Sequence, residues 1–256
     1  ARAKDGSVGI LPEILTELLD ARAETRRQQA TEKNPFVWKV LEGLQLAYKV
    51  TANSLYGQCG APTSPLYMKD IAASTTSTGR EMLNASRIFV EVIFKTLVKH
   101  ALISYESFVE AIELLFQKKV DELIGKDQVD KLKSVQNNED CPRYKYTDVF
   151  TKNRTVIDDK KFIDKKLGHE KKQDFVKWLY EKITKNLTGK SIQPKIIYGD
   201  TDSVFIKFGI ANEETPDKFL TDSGSLAISI ELAIMCSKIL AKILPIPHNM
   251  EYEKTF

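Results

Sequence analysis

Cysteine and histidine are scarce in this sequence, and neither is clustered: three of each occur in 256 residues. Cys59, Cys141 and Cys236 lie far apart with no CxxC pair. That spacing argues against a zinc site and against a disulfide framework, and buried thiols in a reducing compartment are the expectation. The histidines form no HExxH-type pair. No apolar run reaches the roughly 18 residues that a membrane span needs, and no signal-peptide pattern is present, so neither a membrane partner nor secretion is expected. A large excess of one charge is also missing. The net charge is +3, so any affinity for nucleic acid has to come from local patches. The sequence opens at Ala1 rather than at a methionine and stops at EYEKTF, from which a piece of a longer protein is expected.

What is there reads as globular protein. Hydrophobic residues make up 42% and charged residues 29%, and the length suffices for one large domain or two small ones. Leu11, Ile14, Leu15, Leu18 and Leu19 recur at three- and four-residue spacing, which predicts a helix over residues 11–31. The stretch KNP at 33–35 breaks it, and Pro35 suits the first turn of a following helix. That helix is expected to run from about Phe36 to Tyr56 with Val37, Val40, Leu41, Leu44 and Ala47 as its stripe, closing an antiparallel hairpin. GQCGAPTSP at 57–65 is a loop. A third helix is expected from Asp70, as N-cap, to about His100. Its first half, IAASTTSTG, is rich in small side chains that allow close approach of another backbone or a ligand; tight helix packing explains them equally well.

From 101 to 194 the sequence holds amphipathic helical stretches around a polar, turn-rich middle. Ten lysines face four Asp or Glu between residues 160 and 190, and a solvated surface is the ordinary reading of such a run, with a nucleic-acid-facing patch as the alternative. Residues 195–208 alternate about a turn and predict a β-hairpin. Residues 225–244 predict an apolar helix suited to lying under a sheet, and HNMEYEKTF a final strand. The fold class is therefore α+β: a helical hairpin, part of an antiparallel sheet with packed helices, and a mostly helical insertion.

Two constellations carry chemistry. Asp200 and Asp202 flank one residue at the expected hairpin tip in YGDTDS. Two carboxylates held so close repel unless something compensates them. A divalent metal does so, and an all-oxygen donor set suits Mg²⁺, which shares its coordination with water and substrate phosphates; an Asx-type turn is the simpler alternative. On the helical hairpin, Arg22 and Arg26 share one face, and Gln45, Lys49, Asn53 and Tyr56 share another. If the turn centres near residue 34, Arg22 stands opposite about residue 46 and Lys49 is only ~5 Å off level. Three cations then gather at a cluster of triphosphate size; exposed surface charge is the simpler alternative, and for Arg22 and Arg26 alone, with Glu24 and Glu32 on the same helix, it is the better one.

KVTANSLYG at 49–57 resembles the KxxxNSxYG motif of family B DNA polymerases, and YGDTDS at 198–203 resembles the metal-binding hairpin of their palm. GILPEILTELLDAR at 9–22 is similar to the segment that opens the fingers in the polymerase delta group. APTSPLYMKDIAASTTSTGR at 61–80 is most similar to family B polymerases of large nucleocytoplasmic DNA viruses. The resemblance covers about 1–100 and 195–256. It implies fingers over 1–57, a fingers-to-palm helix over 58–100, an insertion over 101–194 and palm over 195–256.

The resemblance further implies a DNA-directed DNA polymerase, a nucleotidyltransferase joining dNTPs to a primer 3′-hydroxyl with two Mg²⁺ ions. Arg22, Arg26 and Lys49 would grip the triphosphate and Asn53 would line its pocket. Tyr56 and Gly57 would lie against the nascent base pair. Asp202 would ligate both metals, with Asp200 in support and Lys49 assisting the transfer. Glu253 in EYEK matches a palm carboxylate near the DNA. Primer-template DNA and dNTPs are the implied partners, a sliding clamp is a further candidate, and the implied location is a viral replication compartment, in the host nucleus or a cytoplasmic factory.

One ion would be shared with an aspartate of a DxxSLYP-type motif, and no such motif occurs here. A KKRY-type motif is absent as well. The 256 residues alone are therefore expected to be inactive. The alternative from another class is a non-catalytic polymerase-like DNA-binding subunit, against which the intact Asp200, Asp202, Lys49 and Tyr56 speak. A nucleotide cyclase would lack KxxxNSxYG, and a reverse transcriptase would carry adjacent aspartates.

Overall fold

The computed structural model describes residues 9–136, 169–200, 203–244 and 250–255. Two compact units divide at Thr78 and Gly79, and the fold is α+β, helical with two small antiparallel strand pairs.

The first unit is built on α1 (Ile10–Thr31) and α2 (Pro35–Gly60). Asn34 caps α2 by accepting the Phe36 N–H on its side chain at 2.9 Å, and Pro35 takes the first helical position, where no N–H is missed. The helices touch along a narrow seam. Leu11, Leu15, Leu18, Arg22, Thr25 and Gln29 face it from α1; Leu41, Gln45, Tyr48, Ala52, Leu55 and Cys59 face it from α2. The spacing alternates four and three, the 3.5-residue repeat of a coiled-coil seam. This corrects the wider stripe expected from the sequence: Ile14, Leu19, Val37, Val40 and Leu44 are exposed. Along most of their length the two helices have only each other as partners, so chiefly the seam is covered.

Residues Lys69–Thr78 of α3 (Lys69–Ile88) also belong to this unit. The helix starts at Lys69, two residues before the first helical position that an Asp70 cap would give, so Asp70 lies in its first turn, where its charge complements the helix dipole, and not at the cap.

The second unit holds the main core. α3 continues into a six-residue π-helical segment (Phe89–Phe94) and then α4 (Lys95–Ile103). The buried residues come in pairs four apart: Ala85 and Ser86, Phe89 and Val90, Ile93 and Phe94, Leu97 and Val98. In a regular α-helix a four-residue repeat drifts by about 40° per turn. The wider π turn takes up that drift and keeps all the pairs on the core side.

α5 (Tyr105–Phe116) is capped by Ser104, whose side chain accepts the Ser107 N–H at 3.1 Å. α6 (Val120–Ile124) and α7 (Lys126–Gln136) follow. α8 (His169–Leu187) buries Val176, Leu179, Ile183 and Leu187. The described lysines of the 160–190 run divide: Lys182 pairs with Glu231 at 2.9 Å, Lys172 lies over the Phe116 ring and Lys190 donates to the Asn186 carbonyl at 3.4 Å, while Lys177 and Lys185 are exposed.

β1 (Lys190–Ile192) pairs with β4 (Ile210–Asn212), and β2 (Lys195–Asp200) with β3 (Ser203–Lys207), both antiparallel. Gly209 turns the chain from β3 into β4 at a positive φ of +57°, and a side chain there would meet the Gln193 carbonyl at 2.8 Å. α9 (Ser223–Ile243) starts at the Asp222 cap and packs on α8 and the π segment through Leu232, Met235, Cys236, Ile239 and Leu240. The final strand expected in HNMEYEKTF is not found among the described residues: 250–255 have no regular structure. Tyr252 meets Thr255 locally there, hydroxyl to hydroxyl, at 2.7 Å. Among the described residues no helix is long and apolar enough to cross a membrane.

Candidate functional site

In the first unit, the register of α1 on α2 is read from one bond: Arg22 Nε donates to Gln45 Oε1 at 3.3 Å. Gln45 is one residue from the position expected opposite Arg22. Lys49 follows Gln45 by about one turn, and Arg26 lies one turn from Arg22 in the other direction. The three cations therefore form a ladder of about two turns, ~12 Å long, along the hairpin rather than a single point. Arg22 is half-buried in the seam; Arg26, Lys49 and Asn53 are exposed.

Tyr56 lies near the end of α2 and is 38% exposed. Its hydroxyl is 3.1 Å from Thr76 Oγ1 and 3.4 Å from the Ala72 carbonyl. This gives the small residues at the start of α3 a structural use. Ala72 and Thr76 let the tyrosine approach the α3 backbone, and the hydroxyls of Thr75, Thr76 and Thr78 turn back onto carbonyls four residues earlier. Thr76 was not foreseen as the partner of Tyr56. The only signal was its place in the small-residue run, four residues after Ala72. Gly57 is exposed, and a Cβ added to it would meet nothing within 4 Å. The fold itself thus has no need of glycine there.

In the second unit, β2 and β3 form the expected hairpin. Asp200 ends β2 and pairs with Ser203, the first residue of β3. The pairing shifts between Ile196 and Tyr198, so Ile197 is an extra residue on β2. Tyr198 and Phe205 pack edge to face across the hairpin, their centroids 5.7 Å apart. Asp202 lies outside the described residues. Glu253 is exposed in the irregular segment 250–255. Among the described residues no three His, Cys, Asp or Glu side chains come together as a metal cage. Asp200 nevertheless offers a hard oxygen donor at the exposed end of a strand pair. That donor chemistry fits an ion which keeps substrate and water ligands, and does not fit a closed structural metal site.

Cys59 and Cys236 are free and buried. Burial pushes the Cys236 thiol well above its usual range, so it stays protonated and unreactive. Cys141 lies outside the described residues.

A family model described as DNA polymerase family B matches residues 2–135 and 144–237. The chain belongs to this family. Among the relatives of the family B chain, the DNA polymerase of Acanthamoeba polyphaga mimivirus is 65% identical over 83 residues, 32% of this chain and 5% of the relative. The DNA polymerase of Pyramimonas orientalis virus is 25% identical over 300 residues, covering 100% of this chain and 16% of that protein. The DNA polymerase delta catalytic subunit of Dictyostelium discoideum is 47% identical over 87 residues, 34% of this chain and 8% of the relative. The chain thus spans a small part of the length of each relative. No solved structure matches it.

Proposed function

We propose that this chain supplies the nucleotide-gripping fingers and the metal-bearing palm hairpin of a DNA-directed DNA polymerase. The observation that carries the reading is the pair of complete motifs, KVTANSLYG and YGDTDS, in a chain matched by the family B model over nearly its whole length. Residues 1–57 act as fingers and 195–256 as part of the palm. The reading is supported by a ladder of cations on one hairpin and an Asp-tipped strand pair on the other.

In this reading Arg22, Arg26 and Lys49 hold the triphosphate of an incoming dNTP, and Arg22 is oriented by Gln45. Their charge offsets the negative charge that builds on the phosphates during transfer. Asn53 lines the same pocket one turn beyond Lys49. Tyr56, anchored by its hydroxyl to α3, presents its ring to the nascent pair, and the open space at Gly57 leaves room for the DNA backbone. A flat ring reads pair shape and so accepts all four correct pairs. Asp202 and Asp200 would hold Mg²⁺. When bound, the ion supplies Lewis-acid activation of the primer hydroxyl and neutralises phosphate charge. Glu253 lies toward the DNA. The partners are primer-template DNA and dNTPs, with a sliding clamp as a further partner. The site of action is a viral replication compartment, supported by the viral relatives.

The test is primer extension with the full polypeptide encoded by the gene that contains this sequence. Mg²⁺-dependent incorporation that Asp202→Asn abolishes supports the reading. Template binding without incorporation would replace it with the non-catalytic subunit. The 256 residues alone, without a DxxSLYP motif, are expected to extend no primer.

A further inference from the structure

Glu91 is the one charged residue in the apolar run from Ile88 to Phe94, and it lies in the π segment. Its side chain is 22% exposed, and both of its oxygens are engaged. Oε2 accepts from Arg87 Nε at 3.1 Å, one turn back. Oε1 accepts the backbone N–H of Ile196 at 3.0 Å, 105 residues away on β2. Ile196 is the residue at which the β2–β3 pairing shifts. The carboxylate thus holds the strand at its irregular point, about four residues and ~13 Å before Asp200.

A second hold lies nearer the tip. A Cβ on Gly199 would sit 2.7 Å from Leu83 Cδ2, so α3 presses directly on the strand one residue before Asp200. The two holds matter because of what a bulge does. A strand pair containing one extra residue can move that residue along the ladder, and a slip by one residue turns every following side chain to the opposite face. For β2 the side chain at stake is that of Asp200, its last residue.

From this geometry we infer that Glu91 is a positioning residue: its carboxylate pins the Ile196 amide, locks the bulge at Ile197 and so fixes the pose of Asp200 at the end of β2. The inference rests on the polymerase reading for its consequence in catalysis, but the clamp itself is a property of the strand pair. A charged acceptor suits the task. A carboxylate–amide bond is shorter and stronger than a neutral one, and the Arg87 guanidinium fixes the rotamer that delivers it. Arg87 is largely exposed and Glu91 largely covered, so the pair orients the carboxylate from the solvent side.

The test compares wild type, Glu91→Gln and Glu91→Ala in the full polypeptide, by amide hydrogen exchange over residues 195–207 and by the Mg²⁺ dependence of primer extension. Glu91→Ala is expected to speed exchange across 195–207 about tenfold or more, with the α8 and α9 peptides unchanged. It is also expected to raise the Mg²⁺ concentration for half-maximal rate and lower kcat about tenfold, with KM for dNTP moving less than about threefold. Glu91→Gln, which keeps one acceptor oxygen, is expected to fall between the two. A merely structural role would reduce the folded fraction without moving the Mg²⁺ half-saturation. Wild-type exchange rates over 195–207 in the alanine variant would overturn the inference, as would an unchanged Mg²⁺ half-saturation in a folded, active variant. A wild-type protein that does not extend primers would overturn the polymerase reading instead, and the exchange data would still decide on the clamp.

Discussion

Arg22 and Gln45 are joined across the α1–α2 seam by a 3.3 Å hydrogen bond, and this bond sets the level of the cation ladder on the hairpin. Gln45 lies one turn before Lys49, so the pairing that holds the helices in register also puts Arg22 about one turn from Lys49 along the hairpin.

Removing a cation from the ladder should therefore cost nucleotide affinity. A charged hydrogen bond to phosphate contributes about 1.5–3 kcal/mol, so Lys49→Ala and Arg22→Ala are each expected to lower kcat/KM for dNTP about 10- to 100-fold. Arg22→Lys should recover little, because lysine keeps the charge but cannot present Nε to Gln45 while a second nitrogen faces the substrate. Steady-state kinetics on primed DNA checks this.

Gly57 offers a test that separates fold from function. Glycine inside a helix is less favourable than alanine by about 0.5–1 kcal/mol, and a Cβ here meets nothing. Gly57→Ala should raise the denaturation midpoint and at the same time reduce primer extension. A variant both more stable and fully active would show that no DNA approaches this position.

Asp222 makes part of the stability depend on pH. Its carboxylate accepts the Ser225 N–H at 2.6 Å, and this bond, with help from the Ser225 hydroxyl, lowers its pKa below the ordinary carboxylate value. A pKa lowered by folding means a contribution that is fully present above the ordinary carboxylate range and is lost as pH falls through the folded value. Asp222→Asn should keep the cap and flatten this acid dependence. Asp222→Ala should lose the cap and drop the melting midpoint by a few degrees at neutral pH. Thermal melts between neutral and acid pH read both.

Phe94 is fully buried and packs against Phe89 and Phe208, with centroids 6.2 and 6.4 Å away. Phe94→Ala is expected to cost about 3–5 kcal/mol by leaving a cavity in the core. Urea denaturation of the purified protein measures it, and a cost below about 1 kcal/mol would mean that this core collapses around the void.

Much of this was legible in the residue order, and the failures are instructive. Asn34 and Pro35 mark the start of α2 because cap chemistry acts within three residues. The β2–β3 hairpin is legible from alternation about a short turn. The width of the hairpin seam was not. Ile14, Leu19, Val40 and Leu44 fit a helical stripe, but the periodicity of one helix says nothing of how many neighbours will cover it. The pairs four apart from Ala85 to Val98 are visible in the sequence and signal the π segment, yet only packing on both sides of the turn shows that the drift must be absorbed.

By itself the sequence determined the two motifs, the strand hairpin and the family to which the chain belongs, because each depends on residue types a few positions apart. Only the tertiary structure decided that Tyr56 is anchored by Thr76, that 250–255 forms no strand, and that Glu91 meets Ile196. Such pairings depend on which segments the folded chain brings together. Between residues separated by 105 positions no local preference carries that information; the packing of α3, the π segment and β2 does.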